Sequence, residues 1–432
     1  MIIAVINFLK LVFLFIAFFP IYFFDKNHAI YLFLKYAGPS FIKLGQALSV
    51  RPDLVGKKLS QQLSSFQDAL PPFCSKKVKK ILIEEFGENF SEKFIEFNFN
   101  AVASASIAQV HKAKLVDEKI VAVKILRPNI KKIFYRDILT LKLIIKITSI
   151  FSKFFAKSLD DIAKLLEELA KSELDLLQEA ANASCLKENL KDLKGFYVPE
   201  IFWKFSTNKV LTLEWIDGIA FSNKEAILKT DFDKKQIAQN LVISYFEQVY
   251  GHGFFHADMH PGNLFLMKNG DIAVVDFGIM GKIDKKTRLA IAEILIGFLN
   301  KDYRKVAKLH IDAGLVPSTT NLDELALSIR KIGESIVGNS IKEVSIAKLL
   351  ENLIIMTRSY NMKTSPELLL LQKTILLVEG VGVMLDENLN IWDLARPWVK
   401  DWAKKNIGFD AKIRDALLEF IDFTKKFLNN YL

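Results

Sequence analysis

Two short segments constrain this chain more than any other part of it. The first spans residues 253–263 and reads GFFHADMHPGN, and the second spans residues 274–278 and reads VVDFG. Four residues separate Asp258 from Asn263, and Asp276 lies 18 positions (276 − 258) after Asp258. Kinases use this arrangement to hold a hydroxyl group and magnesium around a triphosphate. The pattern therefore predicts a phosphoryl-transfer centre.

Length and composition limit what can surround such a centre. With 432 residues, of which 51% are apolar, the chain can form two or three structural units and cannot be mainly disordered. The 59 basic residues exceed the 49 acidic ones and give a formal charge of +10. This excess suits anionic phosphates or an anionic membrane surface, although it also occurs without a specific purpose. No dense Lys/Arg stripe interleaved with aromatic residues is present, so nucleic acid is not an expected partner.

The cysteine and histidine content argues against several other kinds of site. Only Cys74 and Cys185 occur, and neither has a Cys or His partner at metal-ligand spacing. A disulfide framework and a zinc site are therefore not expected, and a reducing compartment follows. The six histidines form no two-His-one-carboxylate pattern, and no Gly-x-Gly-x-x-Gly follows a strand. Iron and flavin chemistry are not expected either.

Residues 1–24 are almost continuously apolar, with interruptions at Asn7, Lys10 and Pro20. A cleaved signal peptide is not expected, because no basic region precedes the apolar run and no small-x-small cleavage site precedes Asp25. As a helix the segment would be roughly 36 Å long at 1.5 Å per residue, enough to span a bilayer. The charge of Lys10 and the kink expected at Pro20 leave three interpretations open: a spanning helix, an interfacial helix, or a helix buried against the rest of the protein.

Residues 29–72 follow a helical pattern with a break at residues 38–39, which read GP. This region contains the segments 43–46 (KLGQ) and 66–72 (FQDALPP). On physical grounds alone, their polar residues would be assigned to a solvated helix face.

The pattern changes to short β-type runs at residue 101. Residues 103–110 (ASASIAQV) stand where a strand-turn-strand covers a nucleotide in a kinase, and residues 120–124 (IVAVK) form an apolar strand that ends in a phosphate-pairing lysine. The small residues are Ala and Ser instead of Gly, so the backbone can approach phosphates but is less free in φ. We therefore expect a nucleotide contact of altered geometry. Taken alone, each segment also fits an ordinary turn or strand.

Helical periodicity resumes from residue 130 to about residue 193 and includes an acidic segment. The periodicity predicts a single helix here, in which Asp175 and Glu179 share a face and Glu173 is displaced from it by about two-thirds of a turn. One face can then meet Lys124 and the other a second partner. The alternative is an exposed acidic face, which the lysine strand and the catalytic loop make less favoured.

The remaining chain predicts a hinge followed by a mostly helical region. Residues 198–218 predict two strands, and a hinge between two lobes is expected where they end. Residues 237–251 predict an amphipathic helix that leads into the catalytic loop, and residues 269–271 (NGD) predict a hairpin turn. Beyond residue 281 almost all of the chain is predicted to be helical. Residues 368–385 are apolar but include charged and glycine residues, which predicts a buried helix instead of a membrane span.

This set of motifs resembles the UbiB family of atypical kinases, the ubiquinone-biosynthesis accessory proteins of the protein-kinase-like superfamily. The resemblance extends from about residue 31 to at least residue 393. It rests on the KLGQ segment, the segment 67–72, the alanine-rich loop, the Glu-x-Asp of Glu173 and Asp175, and the His-Ala-Asp loop, which occur in the family's order. It implies an α+β, protein-kinase-like bilobal fold with a family-specific N-terminal helical extension and a mostly helical C-lobe.

The resemblance also implies roles for the catalytic residues. Asp258 would stand at the position of the catalytic base. Asn263 and Asp276 would bind Mg²⁺. Lys124 would face the α- and β-phosphates of ATP, with Glu179 as its partner on a helix.

A second lysine is implied to act above the active site. In the family the helix that carries Lys-x-Gly-Gln packs over the site, and its lysine, here Lys43, pairs with the acid that corresponds to Glu173. Such a helix blocks a peptide substrate, which favours an ATPase or a lipid-directed kinase over a protein kinase. The residues expected to contact the nucleotide are Ala103, Ser104, Ala105, Ser106, Ile107, Ala108, Gln109, Val110, Lys124, Glu179, Glu214 and Trp215.

The domain organisation follows from these assignments. We expect an apolar membrane-associating segment (1–28), an N-terminal helical extension (29–100), a kinase-like N-lobe with inserted helices (101–216) and a helical C-lobe with the catalytic and magnesium loops (217–432). Two departures from the family pattern are present. Bacterial members commonly carry C-terminal transmembrane helices, whereas residues 400–432 have charges every few positions, so membrane attachment is expected to rest on residues 1–24 or on the basic surface. The family also tends to have a proline before the alanine-rich loop, where this chain has Ala101-Val102.

The expected function is that of an ATP-dependent phosphotransferase or ATPase that uses ATP and Mg²⁺ and supports ubiquinone biosynthesis. It would act at the cytoplasmic face of the inner (plasma) membrane, with membrane lipid, polyprenyl-phenol quinone precursors and ubiquinone-biosynthesis enzymes as partners. Two alternatives remain. One is a nucleotide-gated lipid-binding scaffold for those enzymes. The other is a small-molecule kinase of the aminoglycoside-phosphotransferase type, which the Asp276-Phe277-Gly278 segment and the Lys43 segment disfavour.

Overall fold

The computed structural model describes residues 2–49, 55–63, 66, 70–337, 346–360, 366–387 and 389–406. Residues 67–69 of the predicted FQDALPP motif and most of the charged C-terminal segment, residues 407–432, lie outside these ranges. The chain forms two compact units. Unit 1 comprises Met1–Lys187, Pro199–Ile216 and Asp276–Gly278, and unit 2 comprises Glu188–Val198, Asp217–Val275 and Ile279–Leu432.

The helices and strands alternate in long blocks. The α-helices are α1 (Ile2–Phe24), α2 (Lys26–Ala37), α3 (Pro39–Ser49), α4 (Lys57–Leu63), α5 (Ser75–Phe86), α6 (Ile130–Phe151), α7 (Lys153–Glu173), α8 (Leu176–Asn189), α9 (Lys224–Leu228), α10 (Lys234–Phe246), α11 (Lys285–Leu299), α12 (Tyr303–Asp312), α13 (Leu322–Val337), α14 (Ile346–Ser359), α15 (Pro366–Leu385) and α16 (Ile391–Asn406). The strands are β1 (Phe94–Phe97), β2 (Ala103–Ser104), β3 (Ala108–Leu115), β4 (Ile120–Leu126), β5 (Phe196–Tyr197), β6 (Val210–Glu214), β7 (Gly218–Ala220), β8 (Phe254–His256), β9 (Leu264–Met267), β10 (Ile272–Val274) and β11 (Met280–Lys282).

Helix α1 turns its polar residues towards the rest of unit 1. The Nδ2 group of Asn7 donates to Oδ1 of Asp137 and to Oγ1 of Thr140, both at 3.0 Å. The ammonium of Lys10 donates to the carbonyl oxygen of Ala37 at 2.7 Å. This carbonyl belongs to the last residue of α2, where helix carbonyls lack partners within the helix and favour a cation. The two polar residues that interrupt the apolar run therefore dock α1 onto its neighbours.

Most other side chains of α1 are apolar and exposed. Only 11% of its most apolar window is buried in the protein, although the helix is long and apolar enough to cross a membrane. It also continues through Pro20 as one helix. The interpretation of α1 as a helix buried against the protein is therefore wrong, while the spanning and interfacial interpretations remain. Its large exposed residues include Ile6, Leu9, Phe13, Phe15, Ile16, Phe19, Phe23 and Phe24.

The main sheet of unit 1 is antiparallel, with the strand order β1-β3-β4-β6 and β2 paired to β3. Side chains alternate between the two faces of a strand. Val121, Val123 and Ile125 of β4 are therefore buried together in a core that also includes Val78 of α5. Lys124 lies on the opposite face of the same strand. This confirms the predicted β-type region, and β1 extends the sheet to a position before the expected boundary at residue 101.

The acidic segment of the sequence forms two helices, so the prediction of a single helix is wrong. Helix α7 ends at Glu173 and α8 begins at Leu176. Asp175 lies between them, and its Oδ1 accepts a hydrogen bond from the backbone N–H of Leu177 at 3.1 Å. A short carboxylate at this position satisfies an N–H at the start of a helix and so favours a new helix there. Glu173 and Glu179 consequently belong to different helices.

The prediction of two strands within residues 198–218 is also wrong in part. Only β6 is a strand of several residues there, and Ile201 makes a single bridge to Leu213. Between them, Oγ of Ser206 donates to the carbonyl of Phe202 at 3.0 Å and accepts from the N–H of Thr212 at 3.0 Å. A serine that bonds to the backbone in this way offers the chain an alternative to a regular ladder.

Unit 2 contains one sheet of order β5-β10-β9-β7 and the pair β8-β11. The predicted hairpin is confirmed, because β9 and β10 pair antiparallel around a turn in which Gly270 has a φ of +86°. Most of the described residues beyond 282 lie in helices, as predicted. Helix α15 is, like α1, long and apolar enough to cross a membrane, but 44% of its most apolar stretch is buried. Its buried side chains include Leu369, Leu371, Thr374, Ile375, Val378 and Val381.

Candidate functional site

Unit 1 brings three of the predicted site residues together. The Nζ atom of Lys124 lies 2.7 and 2.9 Å from the two carboxylate oxygens of Glu179 and 3.1 Å from Oδ1 of Asp276. Strand β4 supplies the lysine, and the first turn of α8 supplies Glu179. Glu179 is buried and also accepts a hydrogen bond from the N–H of Phe277 at 3.3 Å. One ammonium group is thus held between two carboxylates.

Burial and charge act in opposite directions in this cluster. Burial disfavours the ammonium form of Lys124, but the attraction of Asp276 and Glu179 outweighs it and raises the pKa of the lysine. Burial raises the pKa of Glu179 to about 7, because loss of water contact outweighs the attraction of Lys124. Above that pH the cluster contains one positive and two negative charges. The residual negative charge suits a divalent cation.

The backbone of Asp276 adopts a conformation that most residues avoid. Its φ is +66°, in the left-handed region, which aspartate and asparagine tolerate better than other side chains. Its Oδ1 accepts a hydrogen bond from the N–H of Gly278 at 3.3 Å. A Cβ atom added to Gly278 would lie 3.3 Å from that same oxygen, so glycine keeps this turn uncrowded. Backbone strain of this kind is found most often where a side chain must be presented for function.

Helix α3 brings a second lysine next to this loop. Nζ of Lys43 lies 3.3 Å from Oε2 of Glu173, and both side chains are largely buried. A Cβ atom on Gly278 would lie 3.6 Å from the same Glu173 oxygen. The Lys43–Glu173 ion pair therefore stands beside the Asp276–Gly278 segment. Both lysine–glutamate pairs implied by the family resemblance are present in unit 1.

The other residues of the KLGQ segment have structural roles in α3. A Cβ atom on Gly45 would lie 2.1 Å from the ring of Phe66, so only a glycine lets the helix approach this ring. Nε2 of Gln46 lies 3.5 Å from the carbonyl oxygen of Phe66. The ring also stacks on Tyr31 of α2, with 4.7 Å between ring centroids. These contacts fix α3 in the position that delivers Lys43.

The alanine-rich loop is a tight hairpin between β2 and β3. Ala103 pairs with Val110, and the N–H of Ala105 donates to the carbonyl of Ala108 at 2.8 Å. Ser106, Ile107 and Ala108 are buried at the turn, whereas Ala103 is exposed. The turn is thus held by its own backbone bonds without a glycine.

A residue that the sequence analysis did not single out joins this loop to the segment before α5. Arg127, at the end of β4, donates from Nε and Nη2 to the carbonyl of Ala105, at 3.0 and 2.8 Å, and from Nη2 to Oγ of Ser104 at 2.9 Å. The same Nη2 group also lies 3.2 Å from the carbonyl of Leu70 and 3.0 Å from that of Pro71. Arg127 therefore fastens the loop to the end of the FQDALPP segment.

Some residues expected to contact the nucleotide have side chains engaged elsewhere. Oε1 of Gln109 accepts the N–H of Phe73 at 2.8 Å, and its Nε2 lies 2.8 Å from Nε2 of His111. The side chain of Gln109 is fully buried, so only its backbone can face a ligand.

Glu214 and Trp215, which are also expected to contact the nucleotide, likewise contact other parts of unit 1. Oε2 of Glu214 accepts the N–H of Glu200 at 3.1 Å, and the N–H of Trp215 donates to the carbonyl of Ile120 at 3.2 Å. The Nζ of Lys112 lies 4.7 Å from the centre of a Trp215 ring. Cation–π contact of this kind fixes the orientation of the indole.

Unit 2 holds the predicted catalytic loop. Oδ1 of Asp258 accepts a hydrogen bond from Nζ of Lys373 at 2.8 Å, and Nδ2 of Asn263 lies 3.0 Å from the Asp258 carbonyl and 3.4 Å from its Oδ2. His256 is fully buried, and its Nδ1 accepts the N–H of Asp258 at 3.2 Å. His256 therefore supports the backbone of the loop. The sequence analysis did not identify Lys373 as a site residue.

The chemistry of the predicted metal ligands fits magnesium. Asn263 uses its Nδ2 group to hold Asp258, so its carbonyl oxygen Oδ1 is the atom that would ligate a cation. Asp276 offers a carboxylate whose side chain is 43% exposed. Magnesium prefers such oxygen ligands and usually adds waters and substrate phosphates to one or two protein groups. The described residues contain no cluster of three or more His, Cys, Asp or Glu side chains placed for a metal.

Comparisons with known proteins agree with the kinase-like geometry. A family model described as the ABC1 atypical kinase-like domain matches residues 65–310, and one described as the UbiB helical domain matches residues 329–390. Similar proteins include one named probable protein kinase UbiB from Histophilus somni, 37% identical over 405 residues, which are 90% of this chain and 74% of the relative. One with the same name from Pseudomonas fluorescens is 38% identical over 383 residues, which are 87% of this chain and 72% of the relative.

A solved structure shows the same fold. It is Rv3197 of Mycobacterium tuberculosis, determined as a complex with erythromycin, and it matches with a TM-score of 0.55 at 24% identity. The match covers 82% of this chain and 90% of that one. Together with the ABC1 match, it confirms the predicted α+β kinase-like fold, and such a domain implies ATP binding.

We expect Arg127→Met to weaken ATP binding. The substitution removes the donors that hold Ser104 and Ala105, so the alanine-rich loop must be ordered when the nucleotide binds. Two lost charge-assisted hydrogen bonds at about 1.5–3 kcal/mol each correspond to at least a tenfold increase in Kd. Isothermal titration with ATP measures the change. Lys114→Met, at an exposed ion pair on the same sheet, is the control, and equal Kd values for both variants would contradict the assignment.

Proposed function

Because the chain belongs to the UbiB family of ABC1 atypical kinase-like proteins, we propose that it is an ATP-dependent phosphotransferase or ATPase that supports ubiquinone biosynthesis at a membrane. The observation that carries the proposal is the cluster of Lys124, Glu179 and Asp276, in which one buried ammonium is held between two carboxylates. A scaffold without chemistry would have no need of the strained backbone at Asp276, which belongs to this cluster.

Phosphoryl transfer needs alignment and charge compensation more than covalent help from the protein. Lys124, oriented by Glu179, steadies the α- and β-phosphates of ATP. Asp258 orients the attacking hydroxyl group or water. Asn263 and Asp276 are the residues that would offer oxygen ligands to magnesium, and magnesium would neutralise phosphate charge.

The position of α3 bears on which class of molecule can accept the phosphate. This helix is fixed by Gly45 and Phe66 and carries Lys43 to the acid beside the Asp276–Gly278 segment. The family resemblance implies that a helix at this position blocks an extended peptide substrate. We therefore propose water or a lipid hydroxyl as the phosphate acceptor, with polyprenyl-phenol quinone precursors and ubiquinone-biosynthesis enzymes as partners.

The apolar surface of α1 supports a location at a membrane, and we propose that this is the cytoplasmic face of the inner membrane. Asn7 and Lys10 of α1 face the rest of unit 1, and most of its large apolar residues are exposed. The turn between α6 and α7 exposes further apolar side chains, among them Ile150, Phe151 and Phe154. Apolar surface of this extent is costly in water and favourable in lipid.

The central test is the effect of Asp276→Asn on ATP hydrolysis in lipid vesicles. Asparagine tolerates the same left-handed backbone, so the substitution removes the charge and keeps the turn. Because a metal ligand contributes several kcal/mol, we expect turnover to fall by at least about 100-fold. Asp117→Asn, at an exposed turn of the same unit, should hydrolyse ATP like the parent. Parental turnover in Asp276→Asn would refute the enzymatic proposal and favour the lipid-binding scaffold.

Lys43→Ala tests whether α3 acts on the nucleotide site. The substitution leaves Glu173 without one buried cation beside Gly278, so we expect the relative affinity for ATP and ADP to change. Breaking a buried ion pair also costs about 3–5 kcal/mol of folding free energy, so unfolding must be measured in parallel. The double variant Lys43→Met/Glu173→Gln removes the unpaired charge and controls for stability. A Lys43→Ala protein with parental nucleotide binding would show that α3 has only a structural role.

The membrane proposal predicts that charges on the exposed side of α1 release the protein from lipid. In the variant Ile16→Asp/Phe23→Asp both substituted side chains are more than half exposed, so folding should be little affected. An aspartate in the lipid-facing part of a helix costs about 2.5–3.5 kcal/mol. We expect a severalfold lower fraction of protein to float with anionic vesicles. Val116→Asp, at an exposed turn of the main sheet, is the control, and undiminished flotation of the α1 variant would contradict the proposal.

A further inference from the structure

The carboxylate of Asp258 is held at both of its oxygens, and the two partners come from different parts of unit 2. Nδ2 of Asn263, in the same loop, lies 3.4 Å from Oδ2. Nζ of Lys373 lies 2.8 Å from Oδ1 and comes from α15, 115 positions later in the chain. Helix α15 falls within residues 329–390, which match the UbiB helical domain, so this ion pair connects the helical domain to the catalytic loop.

The position of Lys373 on α15 is determined by the packing of its neighbours. Leu371, Thr374 and Ile375 are buried, and the hydroxyl of Thr374 donates to the carbonyl of Leu370 at 2.8 Å. The stem of the lysine therefore starts from a fixed backbone. Its side chain is 28% exposed and that of Asp258 is 30% exposed, so the ion pair stands at the edge of the core. A partly exposed ion pair contributes little to stability, so its main consequence is the orientation of Asp258.

We propose that Lys373 is a positioning residue for Asp258, an inference that rests on the function proposed above. With Oδ1 bound to an ammonium and Oδ2 near the Asn263 amide, the carboxylate cannot rotate freely about its last torsion. A carboxylate oxygen accepts more than one hydrogen bond, so Oδ2 can also accept one from the attacking hydroxyl group or water. The helical domain thus sets the direction in which Asp258 presents that oxygen.

The Lys373–Asp258 ion pair can affect catalysis because the rate of phosphoryl transfer depends steeply on the alignment of the reacting groups. A displacement of about 1 Å in a reacting or orienting group can reduce a rate by roughly 100-fold without any change in substrate binding. Lys373 belongs to a rigid helix, whereas Asp258 belongs to a loop. An ion pair between them gives the loop residue the rigidity of the helix.

The experiment compares steady-state ATP hydrolysis by the full-length parent and by Lys373→Met, Lys373→Arg, Asp258→Asn and Lys373→Met/Asp258→Asn. Methionine keeps the apolar stem and removes the charge. We expect Lys373→Met to lower kcat by about 10- to 100-fold with little change in the KM for ATP, and arginine to restore part of the loss. The double variant should be no slower than Asp258→Asn, since Lys373 acts through Asp258. Lys268→Met, at an exposed ion pair with Asp217 in the same unit, is the matched control.

The possible outcomes separate this inference from the proposed function. If the parent hydrolyses ATP, Asp276→Asn does not, and Lys373→Met has parental kcat, the positioning role is overturned and the proposed function stands. Faster turnover in Lys373→Met also overturns it, because the ion pair would then restrain Asp258. A fall in kcat that multiplies with that of Asp258→Asn in the double variant would show that Lys373 acts independently. A parent without turnover overturns the proposed function and the positioning role together.

Discussion

The ion pair between Lys124 and Glu179 is the interaction on which the rest of unit 1 depends. A buried ammonium without a partner would cost several kcal/mol, so β4 and α8 must approach until lysine and glutamate meet. Alternation along β4 sends Lys124 to one face of the sheet while Val121, Val123 and Ile125 fill the core on the other. The hydrophobic core therefore fixes the position of β4, and β4 in turn fixes the position of the Lys124 ammonium group. Glu179 completes the arrangement because it also binds the N–H of Phe277, next to Asp276.

The break between α7 and α8 explains how one acidic segment serves two lysines. A continuous helix would have tied Glu173 and Glu179 to one axis, with fixed separation and direction. Asp175 instead starts a new helix, so each glutamate is positioned by its own helix. Glu173 then meets Lys43, which α3 delivers, and Glu179 meets Lys124. The two ion pairs lie near the same loop, since Glu173 approaches Gly278 and Asp276 belongs to the loop that contains Gly278.

Features with a local signature could be predicted from the sequence. The strands around residues 103–126, the hairpin at Gly270 and the loop around Asp258 each follow from residue types within a few positions of one another. Contacts between distant segments leave no such signature. Arg127 meets Leu70 across 57 positions, and Lys373 meets Asp258 across 115, so an arginine after a strand and a lysine on an apolar helix looked unremarkable.

Local competition accounts for the predictions that failed. Asp175 stands inside a helical pattern, and its ability to cap a new helix competed with its place in the periodicity. Ser206 likewise bonded to the backbone where a strand was expected. Gln109 shows the same preference for a backbone partner, because its side chain accepts the N–H of Phe73. In each case one polar side chain satisfied a backbone group, and the pattern of the surrounding residues carried no information about that choice.

Helix α1 is attached to the rest of unit 1 through polar side chains, which reverses the usual arrangement of an amphipathic helix. In a water-soluble helix the apolar residues face the protein and the polar ones face solvent. In α1, Asn7 binds Asp137 and Thr140, and Lys10 binds the end of α2, so polar side chains contribute to the attachment while most of the apolar ones point away. These polar contacts persist in an apolar environment, because hydrogen bonds are stronger where the dielectric constant is low. Transfer of the exposed side of α1 into lipid would therefore reinforce its attachment to unit 1, and the same helix can hold the kinase-like unit at a membrane.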